Sequence, residues 1–221
     1  MGLEKILIKN DKPLFTKEEC LEIKEWAKLK VQWMDNFDPY TDDYVPMCSK
    51  MLSSIIHWDE DEKYMWLHDR ILDWGKSLNL GIKRLGTPEL RTNWFMINSY
   101  PPGTFFKPHS DRVGEFKKLS DEEKRMKGSE LPSIEDKDHI RVMTFVTQLS
   151  EASDYEGGEV QHDLNSTGVL LNDSDNKDIV TKSKEIGDTT LHSCDLIHWV
   201  NPITSGNRWS LQIFLEEDSF V

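Results

Sequence analysis

The stretch LIHWVNPITSGNRWSLQIFL, Leu196 to Leu215, decides how the chain folds. It reads as two β-strands around a reversal: apolar Leu196–Val200, then Pro202 and Ser205-Gly206-Asn207, then a strand that opens with Arg208. In the second strand Arg208, Ser210 and Gln212 share one face, and Trp209, Leu211, Ile213 and Leu215 share the other. Two placements satisfy this alternation. A surface strand buries the apolar face and wets the polar one. A barrel strand turns the polar face into a lined cavity and packs the apolar face on helices. In the barrel Arg208 is a buried cation that demands an anion, and its planar guanidinium can grip a dicarboxylate at two points. On the surface it is only an arginine after a hairpin.

His198 stands in the first of these strands. Far upstream lies His109-Ser110-Asp111. In extended chain, residues i and i+2 project to one face, so an imidazole nitrogen and a carboxylate oxygen converge. With His198 as a third ligand, two His and one carboxylate occupy three coordination positions and leave three open. That is the donor set of non-haem Fe(II) sites that bind a cosubstrate and O2 together. An HxD alone is weak. His57-Trp58-Asp59 is a second one, read as the start of a helix with Asp59 as its cap. His68 falls inside that helix. His139, His162 and His192 carry no spaced carboxylate-plus-His pattern.

Outward from these motifs, the chain changes character near residue 90. Before it, helical signals dominate. Thr16 and Glu19 form a capping box, and Cys20, Ile23, Trp26, Ala27 and Val31 follow at helical spacing. A second helix is expected over about 59–77, from Asp59/Glu62 and the series Tyr64, Leu67, Ile71, Trp74. After residue 90, short strands separated by turn residues predict a sandwich or barrel: 93–100, 141–149, 159–164, 189–192, 196–200 and 207–216. Trp94, Met96 and Asn98 alternate on the face of Tyr100 and are read as pocket-lining or core. The charge-rich segment 113–139 is read as an exposed excursion, either a lid or a solvated insertion. The domain expectation is a single domain over 1–221, with a mainly helical support region 1–90 and a β-rich core 91–221.

Composition narrows the partners. With 27 basic and 40 acidic residues the net charge is −13, which repels a phosphate backbone, so no nucleic-acid partner is expected. No apolar run approaches the ~18 residues of a membrane span, so no membrane partner is expected either. Three scattered cysteines, Cys20, Cys48 and Cys194, read as reduced thiols in a cytoplasm.

Tyr100, His109-Ser110-Asp111, Arg141-Val142-Met143-Thr144, Gly157-Gly158-Glu159, His198 and Arg208 occur in this order, with Arg208 ten residues after His198. The series resembles the iron(II)/2-oxoglutarate-dependent dioxygenases, in the prolyl 4-hydroxylase-like branch. The resemblance covers about the last 120 residues, a single-domain length. It implies a mainly β fold, a double-stranded β-helix (jelly roll) with helices packed on one side. It implies that His109, Asp111 and His198 bind Fe(II) and that Arg208 pairs with the C5 carboxylate of 2-oxoglutarate. Tyr100 would hydrogen-bond the cosubstrate, with Ser210, Thr144 and Gln148 in the same pocket. The implied activity is hydroxylation of an unactivated C–H of a peptidyl, including prolyl, or amino-acid-like substrate. It would be coupled to conversion of 2-oxoglutarate and O2 to succinate and CO2, with ascorbate as a further candidate cofactor. An Asp at 111, where the family's halogenases have Gly or Ala, points to hydroxylation.

Two positions depart from the family pattern. Gln148 stands where some relatives carry a tyrosine, and Gln161-His162 follows Val160 where relatives often have an apolar or aromatic residue. The competing readings are a non-catalytic jelly-roll metal- or ligand-binding protein, a nucleic-acid demethylase of the same superfamily, and a zinc or manganese cupin enzyme.

Overall fold

The structure, a computed structural model, describes residues 7–9, 12–29, 32–33, 52–57, 62–78, 94–111, 139–165 and 178–218. Cys48, Asp59 and all of the charged excursion except His139 lie outside them.

The strands are β1 (Leu7–Lys9), β2 (Gln32–Trp33), β3 (Leu52–His57), β4 (Trp94–Tyr100), β5 (Phe106–His109), β6 (His139–Gln148) and β7 (Tyr155–Gly157). They continue as β8 (Val160–Asp163), β9 (Ile179–Thr181), β10 (Thr189–Ser193), β11 (Ile197–Val200), β12 (Ile203–Gly206) and β13 (Arg208–Asp218). The two helices are α1 (Lys17–Lys28) and α2 (Met65–Ser77). A large sheet runs β1-β10-β6-β13-β4-β3-β2, a smaller one β5-β11-β8-β9, and β12 pairs with β7. All these pairings are antiparallel. This is the expected jelly-roll architecture, with side chains of the two sheets meeting in the interior.

Helix α1 starts as its sequence dictates. The Glu19 N–H donates to Thr16 Oγ1 (3.2 Å), and the Thr16 N–H donates to Glu19 Oε2 (2.9 Å). Its buried stripe is Cys20, Ile23 and Ala27. Arg70 of α2 donates to Glu19 Oε2 at 2.6 Å and stands over the rings of Phe15 and Trp66. The two helices are thereby joined at their rim. Leu67 and Ile71 of α2 share one core with Ile23, Phe95, Ile97, Phe145, Leu211 and Ile213, so both helices cover one face of the large sheet. The expected start of α2 at Asp59 is too early: a short 3₁₀ turn, Glu62–Tyr64, precedes Met65.

The region before residue 90 also contributes β1, β2 and β3 to the large sheet, where the sequence marked only helices. In β3 the apolar Ile55 and Ile56 adjoin instead of alternating, and β1 and β2 are too short to show a period.

Strand β13 decides between the two placements of its polar face. Arg208 is 3% exposed and Ser210 2%, while Trp209, Leu211, Ile213 and Leu215 are buried opposite them. Both faces are covered, as in a filled barrel. Its neighbour β4 is held in register, Arg208 opposite Tyr100 and Ser210 opposite Asn98. The turn into β8 needs its two glycines. Gly157 and Gly158 have φ of 75° and 66°, and a Cβ on Gly157 would lie 2.1 Å from the Pro202 carbonyl oxygen.

Ile23 sits fully buried between α1 and the sheet. Ile23→Ala is expected to destabilise the fold by about 2–5 kcal/mol in urea unfolding, with the m-value unchanged.

Candidate active site

Two cross-strand rows face each other inside the barrel. In the smaller sheet His198 of β11 lies opposite both His109 of β5 and His162 of β8. In the larger sheet His192 of β10 lies opposite Thr144 of β6. Asp111, two residues beyond the end of β5, enters between the rows and is buried. The ligand atoms of His109, Asp111 and His198 all lie within 4.8 Å of one another, as a single metal ion requires. His109 Nε2 is 3.5 Å from Asp111 Oδ1, and His198 Nε2 is 3.6 Å from Asp111 Oδ2.

The backbone sets the tautomers. His109 Nδ1 donates to the Lys107 carbonyl at 2.7 Å, and His198 Nδ1 donates to the Leu196 carbonyl at 3.0 Å. Each ring therefore turns an Nε2 lone pair toward Asp111, the arrangement in which a histidine ligates. Burial pushes the Asp111 carboxyl up, but the imidazoles of His198, His109 and His192 outweigh it and hold the group well below the usual carboxylate range. Burial drives His198 well down. An ionised carboxylate beside a neutral imidazole is the protonation state a metal ion needs. The donor set fits Fe(II).

Asp111 has two further partners. Thr144 Oγ1 donates to Asp111 Oδ2 at 2.7 Å, and His192 Nε2 donates to the same oxygen at 3.3 Å. Thr144, expected in the cosubstrate pocket, stands at this carboxylate. His192 was missed by sequence reasoning because it has no carboxylate at metal-ligand spacing. The available signal was its position on a strand otherwise apolar or hydroxylic, in line with Thr190. His162 was missed for the same reason. It is fully buried, its ring stacks 5.5 Å from His198, and neither of its nitrogens has a hydrogen-bond partner. Burial first, then the charge of Lys182, pushes its pKa down, so it is a neutral donor and acceptor inside the barrel.

Away from the histidines the barrel interior turns cationic. Arg208 Cζ lies 5.0 Å from the centre of the Tyr100 ring, so Tyr100 packs its face under the guanidinium. Gln148 Nε2 donates to the Tyr155 hydroxyl at 3.0 Å, and Arg208 is beside that hydroxyl. Ser210 lies between Asn98 and Gln148 in the sheet register. Tyr155, a tyrosine of β7 held by Gln148, is thus an unforeseen neighbour of Arg208. A small cavity lies here, lined by Val146, Gln148, Val160, Lys182, Thr190 and Arg208 among others.

The profile of the 2OG-Fe(II) oxygenase superfamily matches residues 95–216. The chain belongs to this superfamily and is a 2-oxoglutarate-dependent oxygenase whose reagents are Fe(II), 2-oxoglutarate and O2. A prolyl-4-hydroxylase from Pseudomonas putida is similar in fold, with TM-score 0.58, 16% identity, and coverage of 96% of this chain and 93% of that one. So is a prolyl hydroxylase from Trichoplax adhaerens solved with a hypoxia-inducible-factor peptide fragment, with TM-score 0.59, 15% identity, and coverage of 97% and 84%. A third is the α-ketoglutarate-dependent carbocyclase SnoK of nogalamycin biosynthesis, with TM-score 0.59, 14% identity, and coverage of 97% and 80%. No curated protein sequence matches the chain. No helix among the described residues is long and apolar enough to cross a membrane.

Cys194 is fully buried, with its Sγ 3.4 Å from Thr144 Oγ1; burial and then Asp111 push its thiol pKa up. Burial pushes the Cys20 thiol up to about 12. Thiolate is the reactive form, so both cysteines are expected to resist iodoacetamide at pH 8 in the native protein and to alkylate fully in denaturant, read by peptide mass spectrometry.

Proposed function

We propose that His109, Asp111 and His198 hold Fe(II), that Arg208 anchors the C5 carboxylate of 2-oxoglutarate, and that the hydroxylated C–H belongs to a peptidyl, including prolyl, or amino-acid-like substrate. The observation that carries the metal assignment is the convergence of two backbone-locked Nε2 atoms and one ionised carboxylate. Bound iron would supply O2 activation coupled to decarboxylation of 2-oxoglutarate, leaving succinate, CO2 and a hydroxylated product. The chain's own residues do the positioning. Thr144 and His192 hold one oxygen of Asp111, Arg208 and Tyr155 hold the far end of the keto acid, and the apolar walls Val146 and Val160 exclude water. Tyr100 supports Arg208 from below, and Ser210 and Gln148 complete the cosubstrate end.

Two observations support the substrate class. Several oxygenases of this fold are prolyl hydroxylases, one of them solved with a peptide, and a net charge of −13 favours a neutral or basic substrate. The helical and strand-bearing region 1–90 and the oxygenase core 91–221 would act as one domain, the former closing the outer face of the large sheet.

The test is succinate release from 2-oxoglutarate by anaerobically Fe(II)-loaded protein. His109→Ala, Asp111→Ala and His198→Ala are each expected to lower turnover by more than about 100-fold, beyond the 10–100-fold expected for losing an outer partner of a ligand. Undiminished turnover in any of them would overturn the iron assignment. Incubation with proline-containing peptides should add one oxygen to a peptide carbon by mass spectrometry; a product confined to free amino acids would remove the peptidyl reading. His192→Phe keeps the ring but deletes the donor to Asp111. It is expected to weaken Mn(II) binding by about 10–100-fold in anaerobic titration.

A further inference from the structure

One buried charge has no role in the site described so far. Lys182 follows β9, and its N–H donates to the Val160 carbonyl at 2.9 Å. It therefore continues the pairing in which Val180 opposes His162, and its side chain turns inward with theirs. The stem is half-buried, but the Nζ is shut off from solvent and has no hydrogen-bond partner. It lines the same cavity as Arg208, Gln148 and Val160. Among the described residues no carboxylate forms an ion pair with it. Asp188, on the cavity wall, is taken by Lys9 at 2.9 Å, and Glu159 is taken by Lys184 at 2.7 Å.

Two cationic heads from opposite sheets thus face one small cavity. Like charges buried together are unfavourable unless an anion sits between them. Burial first, then the charge of Arg208, holds the Lys182 ammonium down to about 7, the mark of a cation lacking its counter-charge. The cavity also lies at the right remove from the iron ligands. Thr144 and His192 stand at Asp111; one two-residue step of roughly 7 Å along β6 and β10 reaches Val146 and Thr190 on the cavity wall. That is the reach of a short keto diacid with its keto end at the metal.

We propose that Lys182 is a second cationic anchor for the distal carboxylate of 2-oxoglutarate, closing from β9 a clamp whose other jaw is Arg208 on β13. The assignment rests on the function proposed above. Arg208 grips one edge of the carboxylate in plane, and Lys182 donates to it from the other side, so the carboxylate rather than the chain length is what the cavity selects.

The experiment is isothermal titration of anaerobic Mn(II)-loaded protein with 2-oxoglutarate and with 2-oxopentanoate, the same keto acid without the distal carboxylate. Lys182→Met is expected to weaken 2-oxoglutarate at least about 10-fold, the loss of a charge-assisted hydrogen bond, and to leave 2-oxopentanoate unchanged. Lys182→Arg is expected to recover most of the affinity. Lys182→Gln, which keeps a donor but not the charge, serves as a second variant should Lys182→Met unfold. Wild-type affinity for 2-oxoglutarate in the Met or Gln variant, or equal weakening of both keto acids, would overturn the clamp while leaving the oxygenase reading intact. Failure of the wild-type protein to bind 2-oxoglutarate would overturn that reading as well.

Discussion

The carboxylate of Asp111 is withdrawn from water and surrounded by imidazoles, and the interior of the barrel is arranged around it. An ionised carboxylate in such a place is tolerated only when donors or a cation meet its oxygens. Thr144 and His192 supply donors from the large sheet; His109 and His198 supply nitrogens from the small one. Asp111 therefore depends on both sheets holding their strands in register: the cross-strand pair His198–His109 in the small sheet and His192–Thr144 in the large one. A metal ion would complete what the donors begin, since the two ligating rings already turn their lone pairs inward through bonds to the backbone.

The barrel interior is graded. At one end lie four histidines and an aspartate; at the other lie Arg208, Lys182, Gln148 and Tyr155, with Val146 and Val160 between. Such a cavity is matched to a ligand with a metal-binding head, a short apolar middle and an anionic tail, which is the shape of 2-oxoglutarate. The covering of both faces of β13 makes this possible. Its apolar face packs under α1 and α2, and Arg208 on its polar face lines the cavity.

The sequence made much of this legible. The alternation after Arg208, the HxD and the distance to His198 are local patterns; the structure brings His109, Asp111 and His198 together and buries Arg208. The capping box of α1 was equally plain, because a cap is a contact between residues three apart. What was illegible is non-local. His192, His162, Tyr155 and Lys182 carry no spacing signature. Each belongs to the site only because strands distant in the chain lie side by side, and a lone histidine or lysine in a sequence looks the same on a surface as in a barrel. The strands of the first half were missed for a related reason: β1, β2 and β3 are short, and their pairing with the large sheet is a tertiary event.

By itself the sequence determined the His-Asp-His donor set, the anion-seeking arginine and the β-rich fold, because these follow from residue type and short-range period. Only the tertiary structure decided which neighbours hold Asp111, that a second cation shares the cavity with Arg208, and that Arg208 and Ser210 of β13 are buried. Burial and the meeting of remote strands set those outcomes, and neither is written in any short window of the chain.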